Sequence, residues 1–449
     1  MKKKLSFYLV LFAFATSAQG QQTSATPPAK PYSIVIKGGH VIDPKNHINE
    51  VMDIAIQASP VSASSGEGEF NQASLNGKIA VVAKNIDTSL AVQVVNAKGL
   101  YVTPGLIDIH VHVFWGTDMN GTYRNGPNGV APDGFTFRTG VTTVVDAGSS
   151  GWKNFEAFKK QTIDFSKTRV LAMLNIIGEG MAGGKYENDS TNLSAEKAAE
   201  MAKKYPHIIV GFKNAHYYQP NYLLPIDRAI KAGTIANVPI MLDGKLDEAV
   251  MSRFRKGDIF THIFGRPLLD SNNKVYPFVR EAQQRGVIFD VGFGGSSFDF
   301  ARAIPALKDG FFPNSISSDL HINSMNNAMK DMNNIMSLFM AMGMDFDSVI
   351  AAATWNPARE IKREDLGSLT VGSVADIAIL RVREGDFGYW ARDGKINGNK
   401  RLETEMTIRG GTIVYNLNGL LDPINLPAPP RRARVNNQQQ HGPSLAPRK

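Results

Sequence analysis

The 449-residue chain contains no cysteine. That excludes disulfides, a thiol nucleophile, lipidation through cysteine and any thiolate metal site, so a bound metal must be met by nitrogen and oxygen donors. A basic face is missing as well. The formal net charge of +8 is carried by the ends: Lys2, Lys3 and Lys4 at the start, and Arg431, Arg432, Arg434, Arg448 and Lys449 after Asp422, with no acid in either segment. Without those cations the body has no net charge, which speaks against a nucleic-acid partner. Long apolar runs are scarce. Leu5–Ala15 follows the three lysines and leads into Thr16-Ser17-Ala18-Gln19-Gly20. Basic, then apolar, then small is the order of a secretory signal, here residues 1–20, and the run is too short to span a bilayer. The expectation is a secreted or periplasmic protein with no stable membrane insertion once the signal is removed.

What is present fits a large globular body: 43% of the residues are hydrophobic, and the length accommodates one large barrel with a smaller domain, since single cores seldom exceed about 250–300 residues. Residues 21–31 read as a polar linker. Tyr32–Gly39, Val41-Ile42-Asp43-Pro44 and Met52–Ile56 alternate as strands, and the pattern resumes at residues 78–83 after a Ser-, Ala-, Gly- and Glu-rich loop at 58–76. Short apolar strands then alternate with helical patterns: Gly105–His112, Val141–Ala147, Val170–Ile177, Ile208–Lys213, Pro239–Asp243, Ile259–Ile263, Val287–Val291 and Ile316–Leu320, with helices such as Ala195–Lys204, Pro225–Ala232 and Pro277–Arg285 between them. Eight β/α units in about 250 residues is the size of a closed (β/α)8 TIM-like barrel, whose chemistry sits at the C-terminal strand ends. An open doubly wound sheet is disfavoured, because no Gly-rich phosphate loop follows the first strand. The Met-rich segment Met325–Met342 reads as a helix packed in the core. Strands return at residues 367–380 and 405–414, and residues 422–449 read as a disordered basic tail.

The first barrel strand carries the chemistry. In Pro104-Gly105-Leu106-Ile107-Asp108-Ile109-His110-Val111-His112, residues two apart share a face, so His110 and His112 present two imidazoles side by side, a pair suited to a divalent cation such as zinc. Lys213 finishes the fourth strand in Gly-Phe-Lys-Asn-Ala-His; such a lysine either reaches solvent or, if buried beside cations, becomes a neutral nucleophilic amine.

These phrases resemble the amidohydrolase superfamily, and more closely its amidohydrolase/deacetylase branch, related to dihydroorotases; the resemblance runs from Tyr32 to about Leu417. It implies a metal-dependent hydrolase barrel over residues 103–365 and a small discontinuous β-sandwich built from residues 32–102 and 366–421, with 58–76 an insertion. It implies two zinc ions, with manganese the alternative, and a carbon dioxide-derived carbamate on Lys213 bridging them. His110, His112, His262 and Asp319 match family ligands, Asp319 also moving protons. Two positions depart. Where the family has a ligating histidine on strand five, this chain has Asp243, which can still ligate but adds a negative charge and favours oxygen-preferring metals. Where near relatives have a histidine, this chain has Phe293. Substrate contacts are expected from His321, Phe293 and Arg266, with Tyr217, Tyr218 and Asn323 also beyond strand ends.

The activity implied is cleavage of a C–N bond, a non-peptide amide that is cyclic or N-acyl, by hydroxide bridging two metals. The substrate is then a small molecule, and self-association stays open. The alternatives are a deacetylase or esterase of the same branch, a nucleobase deaminase, and a periplasmic binding protein that has lost the second metal.

Overall fold

The computed structural model describes residues 30–59, 75–119 and 121–421. The expected signal and tail, most of the linker and the centre of the loop at 58–76 lie outside them. The chain opens with β1 (Tyr32–Asp43), β2 (Ile48–Gln57), β3 (Lys78–Ala83), β4 (Ala91–Asn96) and β5 (Tyr101–Pro104). It then alternates β6 (Leu106–Val111), β7 (Val141–Gly151), β8 (Arg169–Asn175), β9 (Ile209–Ala215), β10 (Ile240–Asp243), β11 (Ile259–Phe260) and β12 (Ile288–Phe289) with helices. It ends with β13 (Ile377–Ala391), β14 (Gly394–Arg409) and β15 (Thr412–Asn416).

Strands β6 to β12 form a parallel sheet in sequential order. The eighth expected strand has no regular strand of its own, yet its backbone engages both sheet edges: Asp290 bridges Ser315, Val111 bridges Leu320, and the Phe293 and His112 amides donate to Ser317 and Leu320. Its irregularity centres on Asp319, whose φ of 53° interrupts any ladder. Ile107, Ile109, Val145, Met173, Met241 and Ile259 form an apolar layer closed by Ala358, Ile361 and Leu366. Register irregularities in β6, the second between Asp108 and Val111, let this strand supply both Ile109 to that layer and His110 to the polar site.

The other strands form a second sheet, in the order β15-β14-β13-β5-β1-β2-β3 with β4 beside β1, so both ends of the chain contribute. Its own core includes Ile34, Ile54, Ile79, Val102, Ile377 and Ile408. Buried Asp376 ties it to the parallel sheet, pairing with Arg169 on β8 and with Arg409 at 3.6 Å.

Two expectations are corrected. Met325–Met342 is not one helix: a short helix, Ile322–Met325, and a longer one, Met332–Ala341, are separated by a turn in which Lys330 has φ 57° and Asp331 caps the second helix through the Asn334 amide. The last strands are not short: β13 and β14 are an antiparallel arm continuing to Ala391 and Gly394. The arm rests on the helix Met332–Ala341 through Leu402 N–H to Ser337 and Asn333 to Thr404.

Candidate metal centre

His110, His112 and Asp319 converge, their ligand atoms all within 4.8 Å of one another. Nε2 of His112 lies 3.2 Å and Nε2 of His110 3.6 Å from Asp319 Oδ1. Metal–donor bonds of about 2.0–2.2 Å set neighbouring donors of a tetrahedral site roughly 3.3–3.5 Å apart, so the three fit one divalent ion.

Each imidazole is fixed from behind. Thr261 Oγ donates to Asp290 (2.7 Å), so it accepts from Nδ1 of His110 (2.9 Å), which leaves Nε2 as the free donor atom. His112 Nδ1 pairs with Ser149 Oγ at 3.0 Å, and His262 Nδ1 donates to the Gly292 carbonyl at 2.5 Å. Outer partners of this kind set tautomer and orientation. Gly292 is required: its φ is +46°, and a Cβ would lie 2.3 Å from Thr261 Oγ.

Lys213 is fully buried (0% exposed), with Nζ 3.2 Å from His110 Nε2. Burial lowers its pKa, against the pull of Asp243 and Asp319. For Asp319, burial alone would raise the carboxyl, but His110, His112 and His262 outweigh it and hold it ionised.

A second group adjoins the first. Asp243 Oδ2 is 3.4 Å from His262 Nε2 and 3.5 Å from His216 Nε2, and its Oδ1 engages Arg266. Although burial opposes it, His262, His216 and Lys213 keep the Asp243 carboxyl well below the usual range. His216 Nδ1 donates to Glu187 at 2.7 Å. Burial would lower the His216 pKa, but hydrogen bonds to Asp243 and Glu187 carry it up to about 10.

Of the expected site residues, the structure gathers His110, His112, Lys213, Asp243, His262 and Asp319 at the C-terminal strand ends. His321 is close, its Nε2 3.8 Å from Asp319 Oδ2, with burial pushing its pKa down to about 4. Arg266 lines the adjoining cavity but its guanidinium is engaged by Asp243. Phe293 is 1% exposed and stacks on Phe298 with ring centroids 4.6 Å apart. Asn323 and Tyr218 are exposed.

Tyr123, His216 and Glu187 were not foreseen. Tyr123 lies over the site, its ring 4.4 Å from that of His112 and 5.1 Å from that of His321. His216 was hidden because strand alternation pairs Lys213 with Ala215; its left-handed backbone, φ 58°, turns it back to the site. A cavity of about 490 Å³ opens alongside, lined by Tyr217, Tyr218, Tyr222, Leu246, Asp243 and Arg266 among others.

A parallel α/β sheet with a His–His–Asp donor set at its C-terminal end has the construction of a metal-binding site in a strand-end active centre. The sequence pattern of the amidohydrolase family matches residues 272–414. A deacetylase of Brucella anthropi is 30% identical over 342 residues, which cover 73% of this chain and 83% of that protein. A crystal structure of an adenine deaminase superposes with a TM-score of 0.74 at 27% identity, covering 86% of this chain and all of that one (100%). One of a dihydroorotase gives 0.70 at 25%, covering 85% and 99%. The chain belongs to the amidohydrolase family and is a hydrolase of carbon–nitrogen bonds.

Proposed function

We propose that the protein is an exported hydrolase of a small, non-peptide amide, cyclic or N-acylated. One observation carries the reading: the His110–His112–Asp319 donor set beside the fully buried amine of Lys213. When bound there, divalent metal, zinc or manganese, supplies Lewis-acid polarisation of a carbonyl and a water whose pKa falls toward about 7. Asp319, ionised and beside both imidazoles, would accept a proton at this position and return it to the leaving nitrogen. Lys213, buried and with a lowered pKa, is suited to be neutral and would add carbon dioxide with release of one proton, and the resulting carbamate would supply further oxygen donors beside His110. His321 and Tyr123 face the reacting position from the rim, and the apolar layer beneath keeps bulk water from the floor of the site.

The same reading takes the parallel sheet and residues 315–320 as a closed eight-membered barrel, and the second sheet as the family's β-sandwich. Export rests on the sequence pattern of residues 1–20. A deacetylase acting on an N-acetyl group or acetyl ester is the nearest alternative, favoured by the likeness to the Brucella protein over most of both chains.

The test is turnover by the metal-loaded chain on N-acyl amino acids, hydantoins, dihydroorotate, acetyl esters and purines. Amide hydrolysis that requires carbon dioxide and is abolished in Lys213→Ala is expected. Turnover confined to acetyl esters, or ammonia release from purines alone, would overturn the amide assignment.

A further inference from the structure

We infer that His216, oriented by Glu187, is a ligand of the second metal and stands in for the histidine that strand five lacks. The inference rests on the two-metal reading above and adds to it a residue outside the expected donor set.

Four imidazoles at this site share one construction. In His110, His112, His262 and His216, Nδ1 is occupied by a fixed partner (Thr261, Ser149, the Gly292 carbonyl and Glu187, at 2.5–3.0 Å). In each, Nε2 faces one of two carboxylates, Asp319 for the first pair and Asp243 for the second. A metal-binding histidine is built this way, with the outer partner fixing the ring; at His216 an ion would displace the proton that Nε2 shares with Asp243. A surface histidine has no need of a buried glutamate behind it, and Glu187 is 5% exposed.

Asp243 Oδ2 lies between the two imidazoles, 3.4 Å from one Nε2 and 3.5 Å from the other, each close to the donor–donor edge of a tetrahedral site; the three are less tightly gathered than His110, His112 and Asp319, so a shared ion would draw the two imidazoles together around that oxygen. The backbone supplies an independent sign. His216, His262 and Asp319 all have left-handed φ, at 58°, 58° and 53°, a conformation that costs non-glycine residues energy and gathers where function fixes a side chain. The charge also closes. A carboxylate in place of a neutral imidazole makes the second site more negative, and Arg266 on Asp243 Oδ1 offsets that charge while leaving Oδ2 to the nitrogens. Two imidazoles and one carboxylate form a donor set for zinc, cobalt or manganese.

The experiment is equilibrium dialysis of the full chain against cobalt(II), read by elemental analysis and by the visible absorption of the bound ion, for wild type, His216→Ala, His216→Gln and Glu187→Gln. Wild type should hold two ions per chain. His216→Ala should keep one tightly and lose the other, with a changed cobalt spectrum. His216→Gln, which preserves bulk, should do the same, and circular dichroism of each apo variant checks the fold. Glu187→Gln should weaken the second ion about 10–100-fold. Two ions with unchanged affinity and spectrum in both His216 variants would overturn the inference. So would one ion in wild type becoming two in Arg266→Ala, since the guanidinium would then be the occupant of that position. Either result leaves amide hydrolysis by wild type intact, whereas absence of that turnover with both ions bound overturns the proposed activity and not the ligand assignment.

Discussion

Thr261 links two functions in one hydroxyl: it receives Nδ1–H of His110 and donates to Asp290, which also accepts from Ser315 and Ser317. Removing that hydroxyl frees the His110 tautomer without touching a metal donor. Thr261→Val should therefore weaken metal binding about 10–100-fold, read by competition with a chromogenic chelator. Asp319 carries the heavier role. Asp319→Asn keeps the shape but cannot take a proton, and kcat should fall by about 10²–10⁴ in a protein that still melts cooperatively. At this scale the sequence was partly legible. His110 and His112 declare themselves by spacing two apart on an apolar strand. His216 does not, because its orientation depends on a left-handed residue that no periodicity signals. At Phe293 residue type alone left packing and substrate contact equally open, and the stack on Phe298 is a packing contact that no periodicity signals.

Among the elements, the β13–β14 arm was the least legible. Between Arg383 and Lys400 its sequence is charged and glycine-containing, without the alternation that marks a half-buried strand. Its strand character comes from cross-strand pairing and from the helix Met332–Ala341 beneath it. At its tip Asp393 accepts the Phe300 and Ala301 amides at 2.9 and 2.8 Å, capping the helix Phe300–Lys308 from a distant part of the chain, while Arg392 engages Asp299. Asp393→Ala should cost about 0.5–2 kcal/mol, measured by urea unfolding, with kcat unchanged because no site residue is touched. The seven parallel strands, by contrast, were legible as buried apolar runs between helical patterns. The expected eighth is irregular where Asp319 takes a left-handed φ.

At the scale of the molecule, two buried carboxylates give pH-dependent stability of opposite sign. Burial alone would raise Asp376, but Arg169 and Arg409 overcome it and lower its pKa. Its contribution is present above the unfolded value of 3.8 and is lost as pH falls through the lower folded value. Asp376→Asn leaves buried Arg409 without its counter-charge and should cost about 3–5 kcal/mol near neutrality. Glu360, near the barrel floor, has Oε2 buried without a partner, and burial raises its pKa from 4.5 to about 8. Across that window the folded chain holds a proton that the unfolded chain releases, so stability falls as pH rises. Glu360→Gln removes this loss, and its gain in melting temperature should be larger at pH 8 than at pH 5. Strand pattern at both ends of the chain marked residues that the second sheet contains. The pairing of β5 with β1 and β13, which joins those two ends, was not legible, since long-range register leaves no local trace.

The central claim is that this site hydrolyses an amide only with metal in it. The most direct measurement is hydrolysis of an N-acyl amino acid and of a hydantoin by the full chain as purified, after chelator dialysis, and after zinc or manganese is returned, with metal content determined at each stage. Turnover should vanish with the metal and return with it, in proportion to the ions bound. Amide turnover that survives complete removal of the metal would contradict that claim.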